Sequence, residues 1–414
     1  MPEDPKVVAT TTCAAVSTQD PPVDGARPGG GRGWVSVAAV ALGAFVIITT
    51  ETLPVGLLPD IAAGLGVSLG LAGLLVLVPG LSAAAAAPLF FLGAGRFDRR
   101  TVILALGLLV LASNAIVAVA PNFAVVLLAR VLLGAAVGAF WTVVTPVGPK
   151  LVGPAGGTRA ISIIAAGVSG GTVVGLPAGQ FFGTLLGWRV TFAAAGGAAL
   201  LIVLAQALLL PRIAPDGRSH LRDLTGAVKR PMARFGLVAS AVAFIGQFAA
   251  STYITPFLLD HAHLSGGAVT VLFLVYGCGG IAGSLFGGSL LTRGVITTFA
   301  GAATAVAALL VGLACAGTLS WLVGALVVGW GLVWGIVPLA AQVWLLDAVP
   351  ETPEAASAAN VTNLQLSLAA GSALGGVLVD STTLPVVFLT AGATVFAAAV
   401  IAVVAGRTGQ LGRR

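Results

Sequence analysis

WVSVAAVALGAFVIITTETLPVGLL, residues 34–58, is apolar or hydroxyl-bearing throughout except for one ionisable side chain, Glu51. About 20 such residues in α-helix cross the ~30 Å hydrocarbon layer of a bilayer. The stretch is the first of twelve. The others are 68–92, 101–120, 123–146, 160–185, 190–210, 235–258, 267–291, 295–317, 319–342, 356–379 and 384–405. Backbone N–H and C=O groups have no partner in hydrocarbon, so each run must bond internally as a helix. Of the 20 Lys and Arg, 18 lie in the two tails or the even-numbered connections; the exceptions are Arg130 and Arg189. Lys/Arg excess marks cytoplasmic loops. The expectation is a multi-pass protein of the cell membrane with both termini cytoplasmic.

The composition agrees with this reading. The chain is 58% hydrophobic and 8% charged, against about 25% charged in soluble domains. The net charge of +6 is therefore a topology signal that also favours anionic lipid headgroups, and no nucleic-acid partner is expected. Cys13, Cys278 and Cys315 show neither disulfide pairing nor CxxC spacing. His261 and His263 follow Asp260 on a short connection, too small a set to define a metal site. No Lys follows a Gly, so the GxxxxGK[ST] phosphate loop is absent. No cofactor is expected. Energy must come from a gradient, and one charge crossing 100 mV supplies about 2.3 kcal/mol.

Residues 1–33 are rich in Pro, Gly and Thr and read as a disordered cytoplasmic tail; 406–414 form a basic tail. The connection 211–234, PRIAPDGRSHLRDLTGAVKRPMAR, carries six Lys/Arg and three prolines. It divides the runs into bundles 34–210 and 235–405. The two halves echo each other. LLPD at 57–60 matches FLLD at 257–260, Gly171 and Gly175 match Gly371 and Gly375, and GAFW at 138–141 matches GLVW at 331–334. Matches in the same helix order fit parallel duplicated halves, with a substrate cavity between them near the midplane.

Three segments carry chemistry. The loop GAGRFDRR, 93–100, has turn glycines at Gly93 and Gly95, and Asp98 among Arg96, Arg99 and Arg100. Its counterpart GGSLLTRG, 287–294, keeps glycines and Arg293. Either these are topology charges, or they latch the halves at the cytoplasmic face. In GVSGGTVVGLPAGQFFGTLLGWR, 167–189, Gly167, Gly171, Gly175 and Gly179 recur every four residues beside Pro177. That spacing lays a groove down one helix face for close packing.

Glu51 and Arg130 each lie in a run otherwise free of charge. Glu51 is eight residues before Pro59, and Arg130 eight after Asn122. At ~1.5 Å per residue both sit about 12 Å from the outer face, so they can meet. An ionisable group at this depth costs about 2.5–3.5 kcal/mol on insertion scales and is by default a functional candidate. Burial favours a protonated carboxyl and a nearby guanidinium an ionised one. A Glu passing between those surroundings takes up and releases a proton. The other reading is a static pair tying helices one and four together.

With TTETLPVGLLPDIAAGLGVS at 49–68 and ARVLLGAAVGAFW at 129–141, these segments resemble the major facilitator superfamily, in particular its twelve-span drug:proton antiporter branch with sugar-efflux and chloramphenicol-efflux relatives. The 93–100 loop is a degenerate form of the family's loop signature. The helix at 167–189 is similar to its antiporter signature, with Leu176 rather than Gly before Pro177. The resemblance implies an all-α membrane protein of twelve helices in two pseudo-symmetric six-helix bundles. It also implies a non-enzymatic, monomeric exporter of small organic molecules by proton antiport, with Glu51 and Arg130 in the coupling roles.

Polar and aromatic residues on the same helices are candidates for the cavity lining: Thr50, Thr52, Trp141, Gln247, Tyr253, Trp334, Asn360 and Asn363. Aromatics with a few hydrogen-bonding groups suit an amphipathic ligand, but such residues also tie neighbouring helices together. Many hydroxyl-matching groups would favour a sugar or metabolite permease instead. A transport-inactive receptor would need a large soluble domain, and no loop exceeds about 25 residues. A membrane enzyme would need a catalytic set within the spans, where no His lies.

Overall fold

The computed structural model describes residues 31–93, 97–213 and 230–411, and every regular element among them is helical. Twelve spans follow in order: α1 (Gly31–Gly56), α2 (Leu69–Phe90), α3 (Arg99–Val119), α4 (Phe123–Trp141), α5 (Ala155–Leu186), α6 (Trp188–Leu209), α7 (Pro231–Thr252), α8 (Gly266–Leu291), α9 (Val295–Cys315), α10 (Ser320–Ala348), α11 (Ala355–Ser381) and α12 (Leu384–Arg407). With an even number of spans, α1 starts and α12 ends at one face, termed the terminal face; the opposite face is the distal face. Residues 1–30 and 214–229, with Gly95 and Arg96, lie outside the described residues.

The helices reach beyond the apolar runs. After α1 the chain re-enters helix at Leu58–Leu65, because Pro59 sits in a first turn where its missing N–H is not needed. The α4 helix continues to Val152. Helix α10 is interrupted at Gly335, where Gly335 abuts the backbone of Gly280 on α8.

α1–α6 and α7–α12 form two bundles with matching internal pairings: α1 with α5 and α7 with α11, α2 with α4 and α8 with α10, α3 with α6 and α9 with α12. The sequence echoes have a structural cause. A Cβ on Gly171 would strike the carbonyl of Phe45 and the side chain of Ile48; one on Gly371 would strike the carbonyl of Ile245 and the side chain of Phe248. Gly138 faces the carbonyl of Ala83, and Gly331 that of Tyr276. In each case glycine and partner shift by the same number of positions. Lipid tails are as apolar as leucine, so helices associate by close packing rather than by hydrophobic exclusion. Both halves reuse the same glycine contacts to achieve it.

The bundles meet through α2 with α11 and α5 with α8. At the distal face their apolar core is continuous: Val55, Leu58, Ala72 and Val76 join Tyr253, Ile254 and Phe257. Hydrogen bonds reinforce this closure. Thr255 Oγ1 donates to Val55 O at 2.7 Å, and Ser372 Oγ to Gly73 O at 2.8 Å. The Asp380 carboxylate at the end of α11 accepts from Ser68 Oγ at 2.6 Å and from the Gly70 N–H at 2.9 Å. Ser68 is itself the N-cap that accepts from Leu71 N. The second bundle thus places a carboxylate on the positive N-terminus of α2, a contact of about 0.3–1 kcal/mol at an exposed site.

The short Ser68–Asp380 contact makes this closure testable. With the native cysteines replaced, Ser68→Cys combined with Asp380→Cys is expected to cross-link on mild oxidation, since the side chains lie within disulfide reach. The bond should stop nearly all turnover, with recovery on reduction. No cross-link on gel electrophoresis would contradict a closed distal face.

Candidate functional site

Arg130 is fully buried in the first bundle. The register of α4 sets its depth: Asn122 caps the helix by accepting from Val125 N at 3.1 Å, and Arg130 follows two turns later. Its guanidinium lies over the Phe192 ring of α6, 4.9 Å from the centroid. Nη1 donates to Thr50 O on α1 at 3.2 Å. That carbonyl is available for a local reason: the residue four positions on is Pro54, inside α1, and proline has no N–H to complete the helical bond. Arg130 supplies the missing donor. Its Nε and Nη2 remain buried without a hydrogen-bond partner.

Asn114 on α3 completes the surroundings of Thr50. It is fully buried, and its Nδ2 donates to Thr50 Oγ1 at 3.3 Å and to Val110 O at 3.0 Å. Glu51 follows next on α1 and is partly buried. Arg130 is near enough for its charge to act on the Glu51 carboxyl, yet the two form no ion pair within 4.0 Å. The Glu51 partner comes from the other bundle: Gln365 Nε2 on α11 donates to Oε1 at 3.2 Å. The structure therefore brings Glu51 and Arg130 to one place, as their spacing suggests, but through Thr50 and not through a direct bond.

The expected cavity residues fall into several settings. Thr50 is part of the cluster just described. Thr52 bonds back to Ile48 O and packs against Gly175 of α5. Gln247 is buried and fully engaged, donating to Tyr276 Oη at 2.9 Å and accepting from Trp330 Nε1 at 2.8 Å. Tyr253 is fully buried in the distal closure, with its hydroxyl on Ser372 O at 3.1 Å. Trp141 and Trp334 are partly buried and stack edge-on with Phe140 and Phe244. Asn363 Nδ2 donates to Ser240 Oγ at 2.9 Å and Leu237 O at 3.1 Å. Asn360 Nδ2 donates to Gln342 Oε1 at 2.6 Å, and its Oδ1 is a buried acceptor without a partner. Helix α5 turns Gly167, Gly171, Gly175 and Gly179 onto α1, against Ala41, Phe45, Thr52 and Leu53, with Pro177 buried among them. The glycine row is thus the seam that seats the Glu51 helix.

Asp98, Arg99 and Arg100 of the terminal loop make bonds within their own half. Asp98 Oδ1 accepts from Arg100 N at 2.9 Å, capping α3, and from Ile213 N at 3.0 Å. Arg100 Nη2 donates to Ala207 O at 2.6 Å, and the Arg99 N–H to Ile213 O at 3.0 Å. These bonds anchor the chain leaving α6. Gly93 ends the helix containing α2, Arg293 is exposed after α8, and Arg96 lies outside the described residues.

Sequence reading missed Asn114, Gln365 and Asp380. Pro54 was a legible signal for the Thr50 carbonyl, since a proline inside a helix frees the carbonyl four residues earlier. Gln365 had no such signal, being one amide among several in α11.

A family model described as Major Facilitator Superfamily matches residues 40–371. The "Transcription regulatory protein OpdE" of Pseudomonas aeruginosa is 33% identical over 379 residues, 91% of this chain and 94% of that protein. The "Purine ribonucleoside efflux pump NepI" of Salmonella typhimurium is 31% identical over 348 residues, 84% of this chain and 88% of that protein. Among solved structures, a bacterial homologue of the human lysosomal transporter Spinster, in an inward-facing and unoccupied conformation, superposes with a TM-score of 0.67 at 17% identity, covering 92% of this chain and 96% of that one. At that identity the likeness is one of fold.

The Arg130–Thr50 bond has a direct test. Pro54→Ala returns an N–H that bonds Thr50 O within α1 and removes the acceptor from Arg130. The helix gains as much as ~3 kcal/mol in intrinsic propensity, so unfolding in detergent should occur at an equal or higher temperature. Transport should nevertheless fall about tenfold, the worth of one hydrogen bond to a charged group. Unchanged transport would show the bond to be dispensable.

Proposed function

We propose that this chain, which belongs to the major facilitator superfamily and is a multi-pass membrane transporter, exports small organic molecules in exchange for protons, with Glu51 as the proton carrier. The observation that carries this reading is the placement of Glu51: a lone carboxyl in an uncharged span, beside a buried guanidinium and at the boundary between bundles. A carboxyl there changes charge within a low-dielectric interior, where the change alters both local bonding and the cost of burial.

The charge asymmetry of the connections assigns the terminal face to the cytoplasm. The distal closure then faces outward, and access to Glu51 and Arg130 is from the inside. Substrate enters from the cytoplasm while Glu51 is ionised, and the bundles rock so that the distal face opens. A proton from outside neutralises Glu51 and returns the carrier. The two open Arg130 donors offer a substrate acceptor group a charged partner, and the Asn360 Oδ1 offers a donor group a site. Nucleosides combine a flat apolar base with such groups, and a relative at 31% identity bears a nucleoside efflux name; they are the first class to test. The regulatory name of another relative supports a second reading, a transport-silent sensor on the same fold.

Proteoliposomes loaded with inosine separate these readings. Counterflow of labelled inosine is expected for a transporter, and its absence across nucleosides, dyes and sugars would support the sensor. With one proton per substrate, a one-unit pH gradient should drive about tenfold accumulation. Glu51→Gln should exchange substrate yet accumulate none above equilibrium. Accumulation by that variant equal to the parent protein would remove Glu51 from the proton path.

A further inference from the structure

A proton antiporter must not reorient when it carries neither proton nor substrate, because each empty crossing uncouples the two fluxes. Some contact must therefore hold the empty, ionised form. Most bonds across the bundles lie at the distal rim and involve no group that changes charge in the transport cycle: Thr255 with Val55, Ser372 with Gly73, and Asp380 with Ser68 and Gly70. The bond from Gln365 Nε2 to Glu51 Oε1, 3.2 Å long, crosses the same boundary and ends on the carboxyl that titrates.

Gln365 is held in place for this contact. Its side chain is 4% exposed. Its backbone lies in the contact of α11 with α2: a Cβ on Gly80 would come to 3.0 Å from Gln365 O. Gln365 belongs to the second bundle and Glu51 to the first, so the bond between them breaks if the bundles part at this point. An ionised carboxylate only accepts, so the glutamine must present its NH2. Such a charge-assisted bond is roughly twice as strong as a neutral one.

We propose that Gln365 is the residue through which the second bundle reads the charge on Glu51, its amide clasping the ionised carboxylate and so blocking reorientation of the empty carrier. This rests on the reading of Glu51 as proton carrier. A proton arriving on Glu51 removes the charge and weakens the clasp. A substrate with a polar group competing for the amide does the same from the cytoplasmic side. Either ligand permits the swing, and the absence of both forbids it, which is the logic of obligatory exchange. Arg130 on α4, bonded to the carbonyl of the preceding Thr50, is the charged group beside Glu51. The elements around α1 carry their other charges at helix ends: Arg99 and Arg100 on α3, Lys150 beyond α4, Arg159 on α5, Arg189 on α6 and Asp380 on α11; α2 carries none. Gln365 is a positioning residue, acting on the reaction through Glu51.

The test reads opening of the distal face and needs no substrate. In a background with Cys13→Ser, Cys278→Ser and Cys315→Ser, Val76→Cys places a thiol in the distal closure, where Val76 is 6% exposed. A membrane-impermeant maleimide is applied from outside to right-side-out vesicles. Because the thiolate is the nucleophile and its fraction falls with pH, each rate is divided by that of a freely exposed thiol at the same pH. So normalised, the parent should label slowly at alkaline pH and about tenfold faster at acid pH, the factor expected for losing the charge-assisted part of one bond. Gln365→Met, similar in length but without the amide, should label at the fast rate at both pH values. Gln365→Asn, which keeps the amide one methylene short, should do the same, and guards against misfolding of the methionine variant. Glu51→Gln should also lose the pH dependence, and combining it with Gln365→Met should add nothing. Slow, pH-dependent labelling in both Gln365 variants overturns the clasp while leaving Glu51 as proton carrier. Tenfold gradient-driven accumulation by Glu51→Gln sinks the carrier reading itself.

Discussion

A carbonyl without its helical donor, in the middle of a membrane, is the constraint around which the first bundle is arranged. Pro54 creates it at Thr50, and hydrocarbon offers no water to repair it. Arg130 reaches from α4 to supply the donor, while Asn114 from α3 holds the Thr50 hydroxyl. The cost of burying a guanidinium is thereby partly offset by a bond the bundle needs in any case, with the Phe192 ring adding a cation–π contact. Glu51 then sits one residue beyond a fixed point. Its position is determined by α1, while its bonding partner belongs to the other bundle.

That division gives one helix two kinds of contact. On one side α1 is welded to α5 by a row of glycines that lets backbones touch. Such contacts are short-ranged and sensitive to single methyl groups, so the pair is packed as one rigid unit. On the other side the links to the second bundle are a few hydrogen bonds and an apolar patch near the distal rim. Few-bond links can exchange partners without disturbing either core. The second bundle builds its own interior from Phe244, Trp330 and Phe388 and satisfies Gln247 within it, so it too is packed as a unit.

The duplicated design was legible because it rests on glycine. A position that tolerates no Cβ cannot drift, and Gly171 with Gly371, or Gly138 with Gly331, stand against equivalent backbone in the two halves. The terminal loop was legible only in part. Asp98 and its arginines declared themselves by charge, but whether they tie the halves together or anchor the exit of α6 depends on what lies beside them. Asp98 and Arg100 bond to Ile213 and Ala207 of the same half.

The amino-acid sequence by itself determined twelve spans, their two-fold repetition, the sidedness of the basic residues, and the isolation of Glu51 and Arg130 as charges within spans. Length, charge and the intolerance of tight contacts suffice for these. Only the tertiary structure decided that Gln365 meets Glu51, that Asp380 caps α2, and that Gln247 and Tyr253 are consumed by internal bonds. The reason is physical. A soluble helix announces its buried face by alternating apolar and polar residues, but in a bilayer the lipid is as apolar as the core. With no contrast between outside and inside, the sequence carries the length of a span but not the direction in which its polar residues point.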